Sequence, residues 1–164
     1  VRLVESRAIR LVQRSYEPGD LADAAMVIAA TNEEEINKEV SGEAKKRGIL
    51  LNVADDLKLS DYIVPSFFRR GDLTIAVSTA GKSPALAKKI RMKLEQNFGE
   101  EFASFLTLIG EVRSLLREKG IVVDIEVWQK ALDLDVLIRL VQKGQLEMAK
   151  TILLNKLEAY QGKK

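Results

Sequence analysis

Residues 26–53 read MVIAATNEEEINKEVSGEAKKRGILLNV, and this stretch decides the fold. It opens with a continuous apolar run of strand length, MVIAAT at 26–31, and closes with another, ILLNV at 49–53. Between them residues 33–47 carry helical spacing. Ile36, Val40 and Ala44 share one face, and Lys45, Lys46 and Arg47 fill the last turn. Gly48 follows, as the end of a helix demands. Strands that are apolar throughout, with a helix between them, predict a parallel sheet covered on both faces. Upstream, residues 9–13 (IRLVQ) read as a further strand, 16–20 (YEPGD) as a turn and 21–25 as a short helix.

The first residues fit that scheme poorly. VRLV at 1–4 is strand-like, yet only about four residues separate it from IRLVQ. A parallel crossover needs about a dozen or more. Either residues 1–4 are the frayed start of one element, or the chain is interrupted around Val4–Glu5.

Downstream the pattern changes. Residues 63–68 and 73–78 are strand-like and are joined through Arg69, Arg70, Gly71 and Asp72, with Gly-Asp reading as a hairpin turn. Helices are expected at 84–97, 100–119, 125–134, 135–143 and 145–160. Domain boundaries are placed near residues 60 and 120, giving segments 1–60, 61–120 and 121–164.

The 164 residues are 46% apolar and 30% charged, with a net charge of only +2. That balance argues against a nucleic-acid module, which would carry a basic excess on one face. Cysteine and histidine are both absent. Disulfides, thiolate metal sites and a cysteine nucleophile are therefore excluded, and no metal site is assigned. Proton transfer near neutral pH falls to a carboxylate, a lysine or a tyrosine. No apolar run reaches the roughly 18 residues of a membrane span, and no secretory signal is visible. The expectation is a soluble, cytoplasmic protein.

The segment AVSTAGKSPALA at 76–87 contains Gly-Lys-Ser. A phosphate loop of the form G-x-x-x-x-G-K-[ST] would need glycine where Ala76 stands, and Pro84 removes a backbone donor directly after. Ser83 as N-cap and Pro84 at the first helical position fit better. Ser78, Thr79, Gly81, Lys82 and Ser83 then crowd small hydroxyl and basic groups at a helix's positive end, which suits a carboxylate or phosphate. The plainer reading is a strand that meets a capped helix.

Taken together, AATNEEEINKEVSGEAKKRGILLNVADD at 29–56 and YIVPSFFRRGDLTIAVSTAGKSPALAKKIR at 62–91 resemble the siroheme synthase N-terminal family. The motifs A-A-T-[ND], N-V-x-D, the Pro-Ser hairpin start and S-x-x-G-x-S-P-x-L-A agree in order and spacing. The resemblance implies an α/β fold: a Rossmann-like NAD-binding parallel sheet, then a small α+β dimerisation domain, then a helical domain. It implies oxidation of precorrin-2 to sirohydrochlorin in siroheme biosynthesis, with NAD as cofactor. Some members also insert Fe2+, and a homodimer is implied. No methyltransferase domain follows residue 164, so the trifunctional form is not expected.

The family's essential aspartate falls on Asp55, with Asp56 as its confusable neighbour. Loss of a hydride and of ring protons calls for a base, and the end of a parallel strand is where such sheets bind ligands. Alternatively Asp55 is a cap or a solvated loop residue. The resemblance places Thr31 and Asn32 beside the nicotinamide half of the cofactor, and Asn52 and Val53 at the next strand end. Asn32 reads equally as an N-cap, with Glu35 completing a capping box. The substrate's carboxylates give Ser78, Thr79, Gly81, Lys82 and Ser83 a ligand. Arg69 and Arg70 read as a solvated turn before a charge site, and Trp128 as a core anchor before a stacking partner.

One departure stands out. The family opens with a strand and a glycine-rich turn, and none of the ten glycines here has G-x-G spacing. Residues 1–4 are accordingly expected to be the family's second strand, with its following loop and all before it missing. If the encoded chain instead begins at Val1 and runs continuously, NAD binding would be severely weakened. That opens an alternative, a non-catalytic regulatory protein that binds NAD or a tetrapyrrole.

Overall fold

The computed structural model describes residues 2–54 and 56–161. The chain divides into two compact units, residues 1–64 and 65–164.

The first unit contains α1 (Arg2–Glu5), β1 (Met26–Ala29), α2 (Glu34–Arg47) and β2 (Leu50–Val53). The strand, helix and second strand fall where hydrophobic periodicity puts them. β1 and β2 pair in parallel, Met26 opposite Leu50 through Ala29 opposite Val53. Gly48 ends α2 at φ 68, and the Ile49 N–H reaches back to the Ala44 carbonyl at 2.9 Å. That left-handed turn is cheap only for glycine, and it aims the chain into β2. Val40 and Ala44 of α2 bury against Ala29, Leu51 and Val53.

Four expectations are overturned here. Residues 2–5 form a helical turn, not a strand. Arg7 adopts φ 56, its N–H bonds the Val4 carbonyl, and the Ala8 N–H bonds the Leu3 carbonyl. This double bond pattern is a helix C-terminus. Residues 9–13 join no ladder, and 21–25 begin with turns rather than a helix. The sheet is also covered on one face only, since Met26, Ile28 and Leu50 on the other are exposed.

Residues 14–20 are pinned to α2. The Tyr16 hydroxyl donates to Glu43 Oε2, the Gly19 N–H donates to the same oxygen at 2.8 Å, and Arg47 Nε donates to Oε1 at 2.8 Å. Arg14 clamps Asp20 with two bonds of 2.8 and 2.7 Å, which holds the Asp20 carboxyl down at about 2.

The second unit opens with a hairpin, β3 (Ser66–Arg70) and β4 (Leu73–Val77), antiparallel with Arg70 opposite Leu73. Gly71 takes φ 56 at the first turn position, and a Cβ there would lie 3.1 Å from Ala103 Cβ. Both facts favour glycine. The hairpin packs on α3 (Pro84–Asn97) and the start of α4 (Glu101–Glu118). Phe68 is buried and packs against Phe98, whose ring lies tilted against Phe102 with centroids 4.8 Å apart. Arg70 is largely buried rather than solvated: Nε donates to the Phe98 carbonyl at 3.0 Å, and Glu95 and Glu100 flank it.

Further along α4, Phe105, Leu108, Val112 and Leu116 form one apolar stripe. It packs on α5 (Ile125–Ala131), α6 (Leu134–Gln142) and α7 (Leu146–Gln161), whose Ala131, Leu137, Ala149, Leu153 and Leu157 are fully buried. The hairpin and the helical segment therefore share α4. No helix among the described residues is long and apolar enough to cross a membrane.

The Tyr16–Glu43 bond makes a titration prediction. Burial first, then the hydrogen bond to Glu43, pushes the Tyr16 hydroxyl up to about 12 from its ordinary 10.0. Its folded value is raised, so the stabilisation is complete below the unfolded value and is lost as pH rises through about 12. Tyrosinate absorbance, taken as the difference between wild type and Tyr16→Phe, should show that late step. Glu43→Gln should move it back toward the ordinary value.

Candidate active site

The carboxyl ends of β1 and β2 lie side by side, and the Ala54 N–H donates to the Ala29 carbonyl at 2.8 Å. The loop after β1 is built around Asn37, a polar side chain only 9% exposed on the buried face of α2. Thr31 Oγ1 donates to Asn37 Oδ1 at 2.8 Å, and Asn37 Nδ2 donates to the Thr31 carbonyl at 3.2 Å. The Glu33 N–H donates back to Thr31 Oγ1. Thr31 thus holds the loop by its side chain. Asn32 is not the helix cap expected from its pattern. Glu33 occupies the N-cap without a side-chain cap bond, and its own N–H donates to Thr31 Oγ1. Freed from capping, the Asn32 side chain is exposed and makes no hydrogen bond among the described residues.

After β2 the chain doubles back along the strand's outer edge. Asp61 Oδ2 accepts the Leu51 N–H at 3.0 Å, and the Asp61 N–H donates to the Leu51 carbonyl at 2.7 Å. Ser60 Oγ accepts the Val53 N–H at 2.8 Å and donates to the Asp56 carbonyl at 2.6 Å. Asn52 donates to the Tyr62 carbonyl at 2.8 Å, and the Tyr62 hydroxyl reaches the Val27 carbonyl at 3.2 Å. Val53 is buried, so what it offers a ligand is backbone. Asp55 lies outside the described residues. The Asp56 carboxylate is committed, since Oδ1 accepts the N–H groups of Lys58 at 2.8 Å and Leu59 at 3.3 Å.

In the second unit, residues 78–83 lead into α3. Ser83 caps the helix, its Oγ accepting the Leu86 N–H at 3.2 Å, with Pro84 at the first turn. Thr79 Oγ1 accepts the Ser83 N–H at 3.1 Å, and Ser78 Oγ accepts the Ala80 N–H at 3.2 Å. Ala80 and Gly81 both take positive φ, 50 and 75. The three hydroxyls therefore shape the loop. Lys82 is exposed, and its ammonium meets no carboxylate among the described residues. The structure brings Thr31, Asn32, Asn52 and Val53 to one strand end, and Ser78, Thr79, Gly81, Lys82 and Ser83 to one loop.

Sequence reasoning passed over Asn37, Ser60 and Asp61. Asn37 carried a signal: it is the polar residue in the stripe of Val40 and Ala44. Ser60 and Asp61 carried none, because their partners are backbone groups seven to ten residues away. No group of three or more acidic residues placed to hold a metal ion occurs among the described residues.

The family described as "Putative NAD(P)-binding" matches residues 2–66, and the family described as "Sirohaem biosynthesis protein central" matches residues 70–97. A siroheme synthase of Vesicomyosocius okutanii subsp. Calyptogena okutanii is 36% identical over 118 residues, covering 72% of this chain and 25% of that protein. One from Tolumonas auensis is 34% identical over 156 residues, covering 91% of this chain and 33% of that protein. The chain thus spans about a quarter to a third of the length of these relatives. Among solved structures, SirC, a precorrin-2 dehydrogenase, superposes with a TM-score of 0.63 at 26% identity, covering 92% of this chain and 74% of that one.

The described residues fit one end of a dinucleotide. The exposed Asn32 and the backbone at the ends of β1 and β2 can meet a polar ring. Glu33, Glu34 and Glu35 crowd the start of α2 with negative charge, which repels phosphate at that helix end.

The α3 cap is directly testable. Ser83→Ala should cost about 1 kcal/mol in urea unfolding. Lys82→Ala, which removes no contact, should stay within about 0.5 kcal/mol of wild type.

Proposed function

The chain belongs to the siroheme synthase N-terminal family, and from that membership we propose that it oxidises precorrin-2 to sirohydrochlorin with Asp55 as the base. The observation that carries the choice of Asp55 is the commitment of its neighbour. The Asp56 carboxylate holds two backbone N–H groups of its own loop, which leaves Asp55 to match the family's N-V-x-D motif. NAD+, when bound, accepts the hydride. In this reading Asp55 takes a proton from the macrocycle as the hydride leaves, and chain groups do the rest. Asn32 and the backbone at Asn52 and Val53 orient the nicotinamide end. Lys82 and the Gly81 N–H, on a loop shaped by Ser78, Thr79 and Ser83, hold substrate carboxylates.

The same base would serve removal of pyrrole N–H protons if Fe2+ is inserted as a second substrate, and a homodimer is proposed with the family assignment. The second reading is a non-catalytic regulatory protein that binds NAD or a tetrapyrrole.

Anaerobic mixing with precorrin-2 and NAD+ separates the two readings. Formation of NADH together with the sirohydrochlorin spectrum is expected. Asp55→Ala should lower kcat by about 100-fold or more, and Asp56→Asn by only a few-fold. Equal turnover by Asp55→Ala and wild type would remove Asp55 from the chemistry. Tetrapyrrole binding with no NADH would favour the non-catalytic reading.

A further inference from the structure

The side of α4 that faces away from the core presents Gly110, Arg113, Ser114 and Arg117, three and four residues apart on one helical stripe. This stripe is one wall of a groove of about 550 Å3. The other wall is built by the helix end. Gly120 takes φ 68, and the Ile121 N–H folds back to the Leu116 carbonyl at 2.8 Å. The strand-like segment through Val123 is thereby laid beside α4, and Trp128 of α5 closes the end. The groove lies beyond residue 97 and shares no residue with the candidate active site.

Three features of the groove bear on what it could hold. Arg113 and Arg117 stand four apart with like charge, which is unfavourable on a helix, and neither pairs with a carboxylate among the described residues. Nearby basic residues do find partners: Lys119 bonds Glu158 and Lys150 bonds Glu111, both at 2.7 Å. Gly110 sits inside an 18-residue helix, where glycine is a poor choice, yet a Cβ there would meet nothing within 4 Å. Its missing side chain widens the groove and serves no packing. Finally, the Arg113 guanidinium lies over the Trp128 ring at 5.6 Å from the centroid. A guanidinium stacked on indole keeps its edge N–H groups free for an anion and offers its outer face to a second flat ring.

We propose that this groove is a binding site for a flat aromatic anion. The ring stacks on Arg113 against the apolar wall of Ile121 and Val123, and carboxylate or phosphate groups pair with Arg113 and Arg117. Two sources share that chemistry, a nucleotide with phosphates and a tetrapyrrole with carboxylates.

Trp128 is the sole tryptophan, so its indole N–H resonance reports the groove alone. The intact chain, labelled with nitrogen-15, would be titrated separately with ADP, with uroporphyrin and with inorganic pyrophosphate. One ring-bearing anion should shift the Trp128 signal saturably, and its identity names the source. Arg113→Gln and Arg117→Gln should each weaken binding about fivefold or more, and added salt should weaken it further. Gly110→Leu fills the groove with a good helix former, so it should abolish binding while raising thermal stability. The proposal is overturned if neither ADP nor uroporphyrin shifts Trp128. It is overturned equally if Gly110→Leu or the arginine variants bind as wild type does, or if pyrophosphate binds as tightly as the ring-bearing anions.

Discussion

The exposed edge of β2 is the constraint on which the first unit depends. A two-stranded parallel sheet leaves one row of backbone N–H and C=O groups without a partner on each side, and such groups must be satisfied. Here Ser60 and Asp61 satisfy the β2 row with two side chains and one amide. Doing so forces the chain to turn back immediately after Val53, and the turn fixes Asp56 against its own loop. The strand end where a parallel sheet presents its ligands is thus shaped by hydrogen bonds that close an edge. Beyond the end of β1, Asn37 of α2 holds Thr31 through a buried polar contact, and Asn32 is left exposed.

The second unit rests on α4. Its early turns close over the β3–β4 hairpin, with Ala103 against Gly71, and its later turns form the core with α5, α6 and α7. One long helix therefore couples the hairpin that carries residues 78–83 to the helical segment. Its outer stripe carries Gly110, Arg113 and Arg117, with Arg113 over the Trp128 ring.

Much of this was legible in the sequence. The β1–α2–β2 run announced itself through unbroken apolar strands, the Ile36, Val40 and Ala44 spacing, and Gly48. The hairpin was legible in Gly71-Asp72, and α3 in Ser83-Pro84. What failed was local sequence read without its partners. VRLV is β-branched and apolar, so it resembles a strand, but backbone bonds from Arg7 and Ala8 make it a helix end. IRLVQ has strand composition and no neighbouring strand to pair with among the described residues. Asn32 has the chemistry of a cap, yet Thr31 and Asn37 outcompete it through a contact six residues long. The clasp on β2 was invisible because serine and aspartate in a loop read as solvated whether or not they reach a strand.

The most direct test is Ser60→Ala, read by hydrogen exchange at the Val53 amide together with the proposed turnover of precorrin-2. Removing the hydroxyl leaves the Val53 N–H without its partner. The expected result is exchange at Val53 faster by about fivefold, as one lost hydrogen bond of about 1 kcal/mol implies, together with lower turnover. Unchanged protection at Val53 with unchanged turnover would contradict it, since the strand end would then be shaped by something other than the clasp.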